Sequence, residues 1–117
     1  MKGAAAMCTQ QQALQILSEV YDACRRRFGC PIDAAYLYGS YARGDYHSDS
    51  DVDILLTVPT DDLADLRKIA ASVTSQLSLR HDVTVSVAIK PTEQLKRYGD
   101  TLPYFRSVLK EGIAYEQ

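Results

Sequence analysis

Asp51 and Asp53 stand two residues apart where a charged loop gives way to the apolar run "VDILLTV", 52–58. Side chains two apart on a strand project from the same side, so these carboxylates face one way, with Cα atoms roughly 7 Å apart. Two anions that close repel unless a cation lies between them. A hard divalent ion with oxygen ligands, Mg²⁺ above all or Mn²⁺ in its place, meets that demand. Asp49 is in phase with the pair but falls in the loop. A bare D-x-D reads first as an acidic loop whose aspartates cap or face water. The residues ahead of it change that reading. Gly39 and Ser40 end the preceding apolar run "AAYLY", 34–38. Glycine permits tight turning and close approach of a ligand. Ser40 offers a hydroxyl and an N–H at the start of a turn or short helix, which suits a phosphate. Phosphate cradle and metal carboxylates then lie on adjacent strands, as metal-bridged phosphoryl chemistry requires.

The segment Gly39-Ser40-Tyr41-Ala42-Arg43-Gly44, followed by Ser50-Asp51-Val52-Asp53, resembles the signature of the nucleotidyltransferase superfamily related to DNA polymerase beta. More narrowly it is similar to the minimal, single-domain nucleotidyltransferases of bacteria and archaea. The resemblance implies a small mixed sheet with flanking helices. It implies that Gly39 and Ser40 hold the β- and γ-phosphates of a nucleoside triphosphate, with ATP the expected nucleotide, and that Asp51 and Asp53 hold Mg²⁺. It implies transfer of a nucleoside monophosphate to a hydroxyl, by positioning and charge neutralisation rather than a covalent intermediate. Arg43 has two readings, a phosphate contact or a salt bridge within the loop. With no second module to hold an acceptor, the resemblance points to a partner protein, such as the small helical toxin of a toxin–antitoxin pair. The alternative is an antitoxin that binds its partner without turnover.

That alternative has a motive in the residues. The family usually supplies a third carboxylate from the next strand, commonly to activate the acceptor hydroxyl. Here that strand is "DVTVSVAI", 82–89, whose polar face offers Asp82, Thr84 and Ser86. Asp82 is the acidic one and sits at the strand's start, where it reads as a catalytic group or as a plain cap. If the position belongs to Thr84 or Ser86, the third acid is absent.

The elements that must position these groups are legible in the periodicity. Residues 10–28 repeat Leu14, Leu17, Tyr21, Cys24 and Phe28 at helical spacing, and Gly29 and Pro31 end the run. Thr60 is read as the cap of a second helix with Asp61 and Asp62 in its first turn. Leu63, Leu66, Ile69, Ala70, Val73 and Leu77 form its inner face. Val83, Val85, Val87 and Ile89 share one side of the third strand, which Pro91 closes. A short helix follows Thr92 and another runs from about 102 to 110, stopped by Gly112. The tail "IAYE" reads as extended. A tight loop joins the first two strands as an antiparallel or offset pair, and a helical crossover makes the second and third parallel. This is α/β (α+β) architecture.

Bulk properties narrow the classes. The chain has 117 residues, enough for one domain over 1–117, with residues 1–9 read as a tail. A net charge of −2 gives no electrostatic reason for strong nucleic-acid binding. Arg25, Arg26 and Arg27 read as cations complementing a helix C-terminus. No apolar stretch approaches the roughly 20 residues that span a bilayer. Three cysteines (Cys8, Cys24, Cys30) without an export signal favour reduced thiols and a cytoplasmic setting. His47 and His81 are read as loop residues, Tyr21 as core, and Tyr41 and Tyr46 as flanking the site.

Overall fold

A computed structural model describes residues 8–116. Five helices and four strands follow in the order α1 (Gln10–Arg27), β1 (Ala34–Tyr38), α2 (Ser40–Arg43), β2 (Val52–Val58), α3 (Ala64–His81), β3 (Val85–Pro91), α4 (Thr92–Tyr98), α5 (Pro103–Glu111) and β4 (Ile113–Ala114). The four-stranded sheet runs β3-β2-β1-β4. β1 is antiparallel to β2 and to β4, while β2 and β3 are parallel across the α3 crossover. The mixed α/β architecture is the one the hydrophobic periods predict.

Alternation along β2 divides the molecule into two layers. Val52, Ile54, Leu56 and Val58 point to one face, where α1 and α3 bury Ile16, Leu17, Val20, Leu66, Val73 and Leu77 against them. Asp53, Leu55 and Thr57 point to the other. There α4 and α5 pack on the strands, and Leu55, Leu95, Phe105 and Val108 are buried. The polar end of β2 therefore opens on the face that the last two helices cover.

Four local expectations are corrected. The tail over residues 1–9 does not include its last two: Cys8 is buried in the core, and Thr9 caps α1 through a reciprocal pair of bonds with Gln12. Residues 1–7 lie outside the described residues. Thr60 does not cap α3. Its hydroxyl accepts from the Asp62 amide in a turn, and the helix starts at Ala64 with Asp65 as its first-turn acid. His81 is the last residue of α3 rather than a loop residue. Its Nε2 lies 2.9 Å from Glu19 Oε1, which joins α3 to α1. Asp82 lies ahead of the strand, which begins at Val85. It closes α3 in the left-handed conformation (φ 54°), its amide donating to Ser78 O. The valine alternation extends the apparent strand back to 82, but the helix cap claims that residue first.

Burial of tyrosine and cysteine follows expectation: Tyr21 and Cys24 lie in the core, and desolvation pushes the Cys24 thiol up to about 11. Ile54 is wholly buried at the centre of the main layer. Ile54→Ala should therefore destabilise the fold by about 2–5 kcal/mol, read as a lower urea midpoint with an unchanged m-value.

Candidate active site

The chain turns sharply where β1 ends. Gly39 has φ 77° and ψ −155°, a backbone region that is essentially glycine-only. A Cβ built there would lie 2.5 Å from Asp53 Oδ2. Glycine is thus required twice, by the turn and by the carboxylate above it. The turn opens α2, a single helical turn, so the amides of Ser40 and Tyr41 have no intrahelical acceptor. Gly44, also at positive φ, closes it with its amide on Ser40 O.

This turn is held from behind. Tyr41 is buried and stacks on Tyr46 with ring centroids 4.4 Å apart. Burial pushes its phenol up to about 12. The side-chain amide of Gln10, from the first turn of α1, donates to the carbonyls of Tyr41 (2.9 Å) and Ala42 (3.4 Å), and the Gln10 amide N–H donates to the Tyr46 hydroxyl. Tyr41 and Tyr46, the residues read as flanking the site, are therefore its support. Arg43 turns away along the surface, pairing with Asp45 at 3.2 Å and Glu111 at 3.8 Å. Both pairs are solvent-exposed and contribute little to stability.

Asp51 precedes β2 and is exposed; Asp53 is the strand's second residue and half-buried. A local turn delivers Asp51: His47 N donates to Ser50 Oγ at 2.9 Å, Asp49 N donates to His47 Nδ1, and Ser50 N donates to His47 O. His47 thus builds the loop, as a loop histidine would. Burial pushes the Asp53 carboxyl above the usual carboxylate range, the charge of Asp51 adds to this, and Arg43 offsets part of it. The pair is an under-compensated negative centre. Among the described residues no third His, Cys, Asp or Glu joins it to make a protein-only metal cage. Two carboxylates and open positions suit Mg²⁺, which is usually held by one or two carboxylates plus substrate phosphates.

Cross-strand register shows what else faces Asp53. Tyr38 pairs with it from β1 and Ser86 from β3. Tyr104, near the start of α5, reaches over to Tyr38, with hydroxyls 3.1 Å apart and rings edge to face. Burial raises both phenols, and the Asp53 charge raises them further. Tyr38 and Tyr104 carry no motif, and the sequence reading missed them. The strand position beside Asp53 is Ser86, one of the two non-acidic candidates; Asp82 stands four residues earlier, in the helix cap. A cleft of about 520 Å³ lies at the opposite end of the sheet, lined by Asp33, Pro59, Thr60 and Thr92 among others. The acidic pair is the better candidate despite the size of that cleft, because it joins an under-compensated negative charge to a glycine-only turn with free amides.

Two substitutions test this geometry. A carboxyl whose folded pKa is raised weakens the fold as pH climbs through the window above its ordinary value. Asp53→Asn should therefore raise the melting temperature of the metal-free protein at neutral pH, with the difference shrinking as pH falls below the ordinary carboxylate range. Gly39→Ala should cost about 1–3 kcal/mol, since a side chain is forced into a glycine-only conformation and onto Asp53; chemical denaturation measures it.

Comparison with known proteins identifies the family. The profile of the family described as "Nucleotidyltransferase domain" matches residues 17–115. Two relatives from Methanocaldococcus jannaschii are each named "putative protein adenylyltransferase". One is 44% identical over 61 residues, half of this chain and 59% of that protein. The other is 34% identical over 98 residues, 82% of this chain and 90% of that protein. The crystal structure of a "putative nucleotidyltransferase" from Sulfolobus solfataricus superposes with a TM-score of 0.63 at 20% identity, covering 99% of this chain and 90% of that one. A toxin–antitoxin structure with AMP-PNP gives 0.54 at 20% identity over 83% of this chain and 69% of that one. At such identities these structures speak for the fold, and the sequence matches speak for descent. No helix among the described residues is long and apolar enough to cross a membrane. Matched over most of its length, and with Gly39 shaped to the carboxylate it faces, this chain belongs to the nucleotidyltransferase domain family.

Proposed function

We propose that the protein transfers a nucleoside monophosphate from a nucleoside triphosphate, ATP, to a hydroxyl on a partner protein. The observation that carries the reading is the Asp51–Asp53 pair beside the Gly39 turn: Asp53 packs directly over Gly39, and its carboxyl is raised first by burial and then by the charge of Asp51, with Arg43 offsetting only part. The relatives' name, protein adenylyltransferase, supports ATP and a protein acceptor.

Asp51 and Asp53 would hold the divalent ion, Mg²⁺ or Mn²⁺. When bound, such an ion neutralises phosphate charge and lowers the pKa of an attacking hydroxyl. The chain supplies the rest. Gly39 and the amides of Ser40 and Tyr41 take the β- and γ-phosphates, where no side chain obstructs approach. The acceptor oxygen attacks the α-phosphorus, the bond to the β-phosphate oxygen breaks, pyrophosphate leaves, and the acceptor's proton passes to solvent. Arg43 can swing from Asp45 to a phosphate at little cost, because its present pairs are exposed. Asp82 has a weaker case as the third acid, since the left-handed helix cap takes it out of the β3 alternation, in which Ser86 pairs with Asp53.

Ser86 in the position beside Asp53 favours a second reading, in which the fold binds and neutralises a toxin without turnover. The likeness to a toxin–antitoxin fold is compatible with that role. One experiment separates the two. Incubation with Mg²⁺, α-labelled ATP and a candidate partner should label the partner, and Asp51→Asn with Asp53→Asn should cut labelling by about 100-fold or more. Neutralisation that persists in the double variant, with no labelling by the wild type, selects the binding reading. Labelling that survives both substitutions removes the assigned site.

A further inference from the structure

Two phenols beside the acidic pair have no task in the transfer reading. Tyr38 ends β1, immediately before Gly39 and directly across from Asp53. Tyr104 comes from α5, on a different part of the chain, and its O–H donates to the Tyr38 oxygen at 3.1 Å. Its ring stands edge-on to Tyr38 at 5.5 Å and packs against the buried Phe105 at 5.3 Å, so the hydroxyl is aimed by its own neighbours. Packing alone would be served by phenylalanine at both positions, because the ring contacts need no oxygen. A phenol has one proton, so a bond between two phenols always leaves one proton over. With Tyr104 donating, that proton belongs to Tyr38, at the edge of the candidate active site. No hydrogen bond joins it to Asp53 among the described residues.

We infer that the Tyr38 hydroxyl donates a hydrogen bond to an oxygen of the nucleoside triphosphate held over Asp51 and Asp53, and that Tyr104 is the positioning residue that aims it. The inference rests on the transfer reading and adds a nucleotide contact to it. The contact follows from placement. Tyr38 is flanked in sequence by the phosphate turn and in space by the first carboxylate of the strand, so a ligand touching both passes its side chain. Tyr104 also couples α5 to the site, which gives the second layer of the fold a part in nucleotide binding.

Calorimetric binding of Mg²⁺-ATP to the full chain tests this, with melting temperatures taken in parallel. Tyr38→Phe should weaken binding about three- to tenfold, the worth of one hydrogen bond, with the melting temperature nearly unchanged. Tyr104→Phe should weaken it by less. The double variant should bind no worse than Tyr38→Phe, because Tyr104 acts through Tyr38. Inorganic triphosphate, 2′-deoxy-ATP and 3′-deoxy-ATP locate the accepting oxygen. A Tyr38→Phe penalty that persists with triphosphate places it on a phosphate, and one that vanishes with a deoxy nucleotide places it on the sugar. Tyr38→Phe binding as tightly as wild type, or a double variant whose loss is the sum of the singles, overturns the inference. A wild type that does not bind Mg²⁺-ATP removes the transfer reading, and this contact with it.

Discussion

Two like charges held close together at the end of a buried strand are an unfavourable arrangement, and the rest of the molecule is organised so that it persists. Burial penalises the charged form of Asp53, and the charge of Asp51 pushes in the same direction. The strand cannot relax the pair, because β2 is fixed between β1 and β3 and its alternate residues fill the core below. Nor can the carboxylate retreat, because Gly39 lies beneath it at a separation no other residue would tolerate. Such a site weakens the fold, and in the proposed function a cation would relieve it, so that the proposed metal site and a stability defect fall on the same two side chains.

The support for this arrangement is spread over the chain. Gln10 ties the start of α1 to the carbonyls of α2, and the Tyr41–Tyr46 stack supports the Gly39 turn from behind. On the other side α5 brings Tyr104 onto Tyr38, while Arg43 and Glu111 link the turn to the end of the same helix. A residue of α1, two strands and α5 therefore meet within one turn of backbone. The site is a junction of both layers of the fold, and changes in either layer reach it.

Much of this was legible in the residues. The helices and strands follow from apolar spacing, because burial on one face imposes a period of 3.6 or 2 wherever a core is large enough. Gly39-Ser40 and Asp51-Val52-Asp53 were legible because their chemistry is local. The misread parts share a cause, which is that tertiary structure overrides a local signal. Asp82 continues the strand alternation yet is taken by the α3 cap. Thr60 has capping chemistry yet uses it one turn too early. Cys8 lies in a segment of tail-like composition yet packs in the core. Ser86 could be chosen over Thr84 only once the parallel register was known. Tyr104 had no signal at all, since nothing within its own helix indicates that it will meet Tyr38.

The central claim is that Asp51 and Asp53 share a divalent ion with a triphosphate seated over Gly39 and Ser40. Its most direct test is the anomalous scattering of Mn²⁺ in crystals grown with a non-hydrolysable nucleoside triphosphate. The account predicts a manganese peak within coordination distance of both carboxylates, with phosphate oxygens completing its shell above the Gly39 turn. Nucleotide bound elsewhere, or manganese absent from both aspartates while nucleotide is present, would contradict it.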